Sequence, residues 1–187
     1  MRIAILLSAV VTASTLLGAE ARAEDPAPRA TVADVLAFMD TMPGEPGNPK
    51  SVAYHWSKKP GALAIAQAIA ATAPDREWAA RMAVYSIHEG GLSSECVNGD
   101  GGESWGAFQL KDVPHDVACD PAKAAPVWLA MAQRSMQDCA ALPVSERMAE
   151  LASGSCKKGH VVARQRETFV LRALATALPP KTAPSIE

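Results

Sequence analysis

Apolar residues recur along this 187-residue chain at helical spacing, with no sustained strand-type alternation. "TVADVLAFMDTM" puts Val32, Val35, Leu36 and Met39 on one face, and Thr31 stands where an N-cap belongs. "PGEPGNPK" then breaks the helix. "GALAIAQAIAATA", residues 61–73, is alanine-rich, carries Leu63, Ile65, Ala66 and Ile69, and reads as a well-buried helix. Pro74 and Asp75 open the next element, "REWAARMAVYSIHE", which runs from Arg76 to Glu89 with Asp75 as its cap. Beyond a glycine-rich stretch, Pro121 to Cys139 is again helical in pattern, with Val127, Trp128, Met131 and Met136 as its apolar positions. Ser145 to Ala152 reads as a short helix capped by Ser145. "GHVVARQRETFVLRALATAL" is the last helix, with Val162, Phe169, Val170, Leu171 and Leu174 inside. No internal repeat is present. The expected fold is one mainly α-helical domain over residues 31–178, followed by a frayed tail over 179–187.

The first 23 residues follow a different rule. Arg2 gives a short positive start, Ile3 to Leu17 is almost unbrokenly apolar, and Ala21-Arg22-Ala23 supplies a small-x-small cleavage pattern. This is the signature of a secretory signal peptide; the alternative, an uncleaved anchor, needs a longer apolar run than this one. Residues 24–30 form a polar, proline-bearing leader. The expected location is periplasmic or secreted, with no stable membrane insertion after cleavage. The net charge of the whole chain is −2, and loss of the signal peptide leaves it slightly more negative. No basic patch stands out, so nucleic acid is not an expected partner. A polymer bound by such a surface has to be held in a groove by shape and hydrogen bonds.

The four cysteines, Cys96, Cys119, Cys139 and Cys156, all follow the leader. On an exported chain that suggests two disulfides, and the absence of a C-x-x-C pair argues against a zinc ribbon or a thioredoxin-type site. Three pairings are possible. The sequential one, Cys96–Cys119 and Cys139–Cys156, is favoured; each bridge then closes a loop of about 20 residues, worth roughly 3 kcal/mol in the chain-entropy picture. The first would staple the glycine-rich loop and the second would tie two neighbouring helices.

The chemistry concentrates in "IHEGGLSSECVNGDGGESWGAFQL", residues 87–110. On a helix from Arg76 to Glu89, Trp78, Met82, Tyr85 and Glu89 fall on one face, so Glu89 continues an apolar stripe. Burial and the negative end of the helix dipole both disfavour a charged carboxyl there. A carboxyl that keeps its proton near neutral pH is what a general acid requires. Gly90 and Gly91 end the helix at low conformational cost and are expected to leave space for a bulky substrate.

"HEGGL…GDGGESWGAFQL" resembles the catalytic region of the lysozyme superfamily, in particular soluble lytic transglycosylases and goose-type lysozymes. Members carry a helix-terminal glutamate, a variable loop and a glycine-apolar-x-Gln pattern. Glu89, followed by Gly90, Gly91 and Leu92, takes the first place; Gly106, Ala107, Phe108 and Gln109 resemble the second. The match covers residues 76–111 well and the rest loosely. The resemblance implies a lysozyme-like α fold and cleavage of the β-1,4 glycan of peptidoglycan without a cofactor or metal. It implies that Glu89 is the catalytic acid/base, that Gln109 lines the glycan groove, and that Ser104 and Trp105 sit where substrate contacts fall. Two departures stand out. The serine that usually follows the glutamate is Gly90. The family's "A-x-Y-N-A-G" segment has its nearest counterpart in "AELASG", Ala149 to Gly154, where Leu151 and Ala152 replace the tyrosine and asparagine. Tyr85 and Tyr54 are the candidates to supply the lost contact.

A second carboxyl group, as glycoside hydrolysis usually requires, has two nearby candidates, Asp100 and Glu103. Asp100 in "NGDGG" also reads as a turn residue bonding local amides. With one carboxylate, the resemblance offers another route: the substrate's acetamido group stabilises the cation and Glu89 then takes the C6 hydroxyl proton, giving a 1,6-anhydro product. The sequence leans towards that transglycosylase route. His88 lies about 100° around the helix from Glu89 and is expected at the surface or against a neighbour. His115, Asp116 and Asp120 match no common metal-ligand spacing. Trp56, Trp128 and Phe169 read as core, Trp105 as the sugar-stacking candidate. No G-x-S-x-G elbow occurs, so a serine nucleophile is unsupported. Two further functional classes remain open: a lysozyme-like module that binds glycan or protein without cleaving it, and a disulfide-stabilised helical domain that only contacts other proteins.

Overall fold

The computed structural model describes residues 28–44 and 54–176; the expected signal peptide over 1–23 and the expected tail over 179–187 lie outside them. The fold is mainly α-helical and carries two disulfides. In chain order the longer elements are α1 (Val32–Asp40), α2 (Ala62–Thr72) and α3 (Arg76–Gly90), then strands β1 (Asn98–Gly99), β2 (Ser104–Trp105) and β3 (Leu110–Lys111), and then α4 (His115–Ala118), α5 (Pro121–Asp138), α6 (Ala149–Ser153) and α7 (Cys156–Thr176).

The helix starts follow from caps written into the chain. Thr31 and Asp34 form a reciprocal capping box at α1, and the Asp75 carboxylate accepts from the Trp78 N–H at α3. Asp120 accepts from the Ala122 N–H at α5, where Pro121 fills a position that needs no donor. Two starts differ from expectation: α7 begins at Cys156, three residues before the Gly159 that opens the expected helix, and Ser145 is the other. Ser145 does not cap a helix; it sits in a 3-10 turn over Val144–Glu146, and α6 begins only at Ala149.

Every residue of α3 from Ala79 to Ile87 is buried, so α3 is the axis of the domain. Helices α1, α2 and α7 pack on it, α5 packs on α2, and α6 lies against α7 and α5. Ile65 and Ile69 of α2 and Phe38 and Met39 of α1 are fully enclosed, each contributing roughly 1.5–3 kcal/mol relative to exposure. Helix α7 packs Val170, Phe169 and Leu174 inward as expected, but Val162 and Leu171 face out and small and charged residues share the inner face. Gly159, Ala163, Glu167, Val170 and Ala173 are buried, whereas Val162 and Leu171 are exposed. Leu63 of α2 is likewise exposed.

The reason for the rotation of α7 is a buried ion pair. The Arg81 guanidinium of α3 donates to both Glu167 oxygens, Nε–Oε1 at 2.8 Å and NH2–Oε2 at 2.9 Å, with both side chains nearly sealed from solvent. Glu77 accepts a further bond from the same NH2 at 2.8 Å. The carboxylates push the Arg81 pKa above its ordinary value, outweighing the burial that pulls it down.

The disulfides join Cys96 to Cys119 and Cys139 to Cys156. The second links the end of α5 to the start of α7. The first holds the segment before β1 to the end of α4. Among the described residues no helix is long and apolar enough to cross a membrane.

Cutting the α3–α7 ion pair leaves a buried guanidinium short of its main partner. Glu167→Ala is therefore expected to lower the free energy of unfolding by about 3–5 kcal/mol in denaturant titration; a loss under about 1 kcal/mol would contradict this account of the α3–α7 contact.

Candidate functional site

A cleft of about 740 Å³ opens beside the C-terminal end of α3. Glu89 lines it, with Asp100 and Gln109 from the strand region, Trp128 and Met131 from α5, and Glu150 to Gly154 around α6. Glu89 is about a quarter exposed, so the carboxyl is set into the wall and reaches the opening. Its principal partner is a residue that sequence reasoning does not single out. The Arg166 guanidinium of α7 donates to Glu89 Oε1, and its face lies over the Tyr85 ring, 4.9 Å from the centroid. A carboxylate at the negative end of a helix is unfavourable by itself. The guanidinium offsets that, and the tyrosine holds the guanidinium in place.

Tyr85 is thus a support beneath the site. It is expected to face the ligand, but its ring is fully buried against Trp128 at 5.4 Å and its hydroxyl has no hydrogen-bond partner among the described residues. Burial pushes the phenol well above its usual pKa. Tyr54 meets the Trp56 ring edge-on at 5.0 Å and is not among the residues that line the cleft. His88 packs on the Phe169 ring at 5.7 Å, with a buried Nε2 that has no partner among the described residues.

The loop after α3 is built around Gln109. Its side-chain amide donates to the Val97 carbonyl at 3.1 Å and to that of Gly106 at 2.9 Å, while its carbonyl accepts from Ser104 Oγ at 2.9 Å. These bonds tie together a small antiparallel sheet in the order β1-β2-β3, with Gly99 opposite Ser104 and Trp105 opposite Leu110. A Cβ on Gly99 would stand 1.7 Å from Gln109 Oε1, so a larger residue there would push the glutamine amide off its loop partners. Ser104 is therefore buried as a partner of Gln109 and does not line the cleft, and neither does Trp105, whose ring meets His115 at 4.6 Å.

Gly91 caps α3 in the left-handed region, φ 61°. Gly90 does something other than leave room for substrate: a Cβ there would come within 2.7 Å of Ala107 Cα. The close approach of α3 to the Gly106–Gln109 segment excludes any larger residue, which gives a steric reason for glycine at this position.

Of the acidic candidates near Glu89, Asp100 lines the cleft at a left-handed turn position, φ 50°. Its carboxylate receives a long contact from Ser104 Oγ at 3.5 Å. The turn itself is closed by the Gly102 and Glu103 N–H groups on the Gly99 carbonyl. Glu103 is outside the cleft, paired with Lys111, whose hydrogen bond and charge lower its pKa. Two clusters of metal-ligating types occur among the described residues, Cys96–His115–Cys119 and Cys139–Glu150–Cys156. Each is a disulfide pair plus one side chain, so the sulfurs are committed to each other. Asp120 serves as the α5 cap.

Comparison with known protein families, with curated proteins and with solved structures gave no match to this chain.

Burial, and then the Arg166 charge, lower the His88 pKa to about 4. The unfolded chain protonates this group near the ordinary 6.5, so stability is expected to fall as pH drops from 6.5 towards 4 and to level off below 4. An NMR titration should give a folded-state midpoint near 4, and His88→Phe should flatten that part of the stability profile; a midpoint near 6.5 would contradict the burial argument.

Proposed function

We propose that this protein is an exported enzyme that cleaves the β-1,4 glycan of peptidoglycan, as a lytic transglycosylase or lysozyme, with Glu89 as general acid/base. The observation that carries the reading is the shared cleft. Glu89, Gln109 and the Leu151–Gly154 segment, three stretches separated in sequence, line one cavity. The resemblance to lytic transglycosylases assigns substrate contact to the same three stretches. Two disulfides fit an extracytoplasmic location, and the signal peptide over 1–23 supplies a route to it.

The chemistry has to pass through the ion pair. As general acid, Glu89 gives a proton to the leaving glycosidic oxygen. Arg166 pairs with the carboxylate form, so a glycan seated in the cleft displaces the guanidinium from Oε1, the freed carboxylate takes up a proton from solvent and passes it to the leaving oxygen, and the pair re-forms when Glu89 is again a carboxylate. The resulting cation at the sugar's anomeric carbon is then met by one of two nucleophiles. Water oriented by Asp100, losing its proton to that carboxylate, gives hydrolysis. The substrate's own C6 hydroxyl, losing its proton to Glu89, gives the 1,6-anhydro ring.

A second reading, a glycan-binding module without cleavage, is favoured by one feature. Leu151 and Ala152 line the cleft but offer neither the hydroxyl nor the side-chain amide of the family segment.

Incubation of the mature protein with purified sacculi separates the readings. The native protein is expected to release soluble glycan and Glu89→Gln to release at least about 100-fold less. Mass spectrometry of the fragments distinguishes anhydro from reducing ends. Binding of sacculi by both proteins with no release from either would leave only the module.

A further inference from the structure

The two disulfides sit in opposite surroundings. Cys139 is buried, and a carboxylate oxygen of Glu150 lies within 4.8 Å of the sulfurs of Cys139 and Cys156. Burial blocks an incoming thiolate from Cys139, and attack on Cys156 would leave a buried Cys139 thiolate beside a like charge. Cys96 and Cys119 are both half-buried, and Cys96 lies in a stretch where Ser94, Glu95 and Asn98 are exposed. His115, also exposed, places its Nε2 3.3 Å from Cys119 Sγ. The Trp105 ring meets that imidazole edge-on at 4.6 Å, and the Cys119 N–H donates to the His115 carbonyl at 3.0 Å. With a proton on Nε2 the imidazole donates to the sulfur, which favours its thiolate form. The neighbouring carboxylates, Asp116 and Asp120, both have Lys123 within reach, at 3.6 and 4.0 Å.

The bridge also bears on the cleft. Cys96 precedes Val97, whose carbonyl accepts from the Gly106 N–H at 2.8 Å and from the Gln109 side-chain amide at 3.1 Å. Asp100 and Gln109 of this loop line the cleft. The bridge is the covalent tie between that loop and the end of α4.

We propose that Cys96–Cys119 is a thiol-exchange site, opened by a dithiol reductant ahead of the other bridge, and that its opening frees the cleft wall that carries Asp100 and Gln109. A thiolate of the reductant attacks Cys96 Sγ. The S–S bond breaks, its electron pair leaves on Cys119 Sγ, and His115 stabilises the thiolate. The second thiol of the reductant, deprotonated, attacks its own sulfur in the mixed disulfide and releases Cys96. The reductant ends as a cyclic disulfide, and its two protons end on Cys96 and Cys119. The consequence for activity rests on the glycan-cleaving reading, in which the opened form is the slower enzyme.

The test is timed exposure of the folded, oxidised protein to dithiothreitol, followed by acid quench, alkylation and mass spectrometry of each cysteine. Cys96 and Cys119 are expected to be alkylated at least about ten-fold faster than Cys139 and Cys156. His115→Phe is expected to slow the first bridge about five-fold and leave the second unchanged; His115→Gln, which keeps an N–H donor, retains most of the native rate. Thermal unfolding of the oxidised variants checks the fold; should His115→Phe not fold, His115→Leu removes the same donor. Equal rates at the two bridges, or a native rate in the folded Phe or Leu variant, overturn the proposal, as does equal slowing in the Phe and Gln variants. In protein with only the first bridge opened, amide hydrogen exchange is expected to rise at least about ten-fold over residues 97–111 and not over α7. Unchanged exchange in the loop overturns the release of the wall. The same protein is expected to release glycan from sacculi about ten-fold more slowly and to recover on reoxidation; a native rate overturns the link to the site. If the native protein releases nothing, the cleavage reading fails, while alkylation and exchange still decide this proposal.

Discussion

The arrangement of the cleft depends on how α7 is held against α3. Two arginine–glutamate pairs cross that contact in opposite senses. Arg81 of α3 reaches into a buried Glu167, and Arg166 of α7 reaches back to Glu89 at the cleft. The first is sealed from solvent and sets the rotation of α7. Because Arg166 and Glu167 are adjacent, that rotation also delivers the second guanidinium to the end of α3. Tyr85, buried beneath it, gives Arg166 a flat surface to rest on. A carboxylate at a helix C-terminus, poorly placed by its own helix, thus becomes a stable feature through a neighbouring one.

The other wall is made by close backbone approach. Glycines at 90 and 106 let α3, the Gly106–Gln109 segment and α4 come nearer than side chains would allow; at Gly106 a Cβ would meet the Ala118 carbonyl at 1.9 Å. Gln109 uses its hydrogen-bonding capacity inside this loop, and the Cys96–Cys119 bridge fastens the loop to the end of α4. The result is a firm rim on which Asp100 lines the cavity. A short, glycine-rich stretch of low intrinsic order is fixed by one amide side chain and one covalent bond, as a binding wall built on a loop requires.

Much of the helical scaffold is legible in the sequence because its signals are local. Thr31, Asp75 and Pro121 mark helix starts to within a residue, and Gly91 marks a stop. Local signals also place Glu89 on the inner stripe of α3. What cannot be read this way is long-range. Glu89 and Arg166 are 77 positions apart and Arg81 and Glu167 are 86 apart, and no periodicity rule couples them. A signal for α7 is nevertheless present. Arg166 and Glu167 fall three and four residues after Ala163 and four and three before Val170, on the stripe of small and apolar residues, and charges on an inner stripe need partners. Ranking Val162 and Leu171 by hydrophobicity alone turns the helix the wrong way. The resemblance puts Ser104 at the ligand and leaves Tyr85 as a candidate there, but neither lines the cleft, since Tyr85 lies under Arg166 and Ser104 is bonded to Gln109.

The central claim is that a glycan strand in this cleft takes Glu89 from Arg166 and presents its glycosidic oxygen to the freed group. A crystal structure of the Glu89→Gln protein with a peptidoglycan tetrasaccharide tests it most directly. The expected result is the substituted side chain at position 89 turned away from Arg166 and within hydrogen-bonding reach of the linkage oxygen. A sugar bound outside the cleft, or inside it with the side chain at position 89 still on Arg166 and no linkage oxygen near, would contradict it.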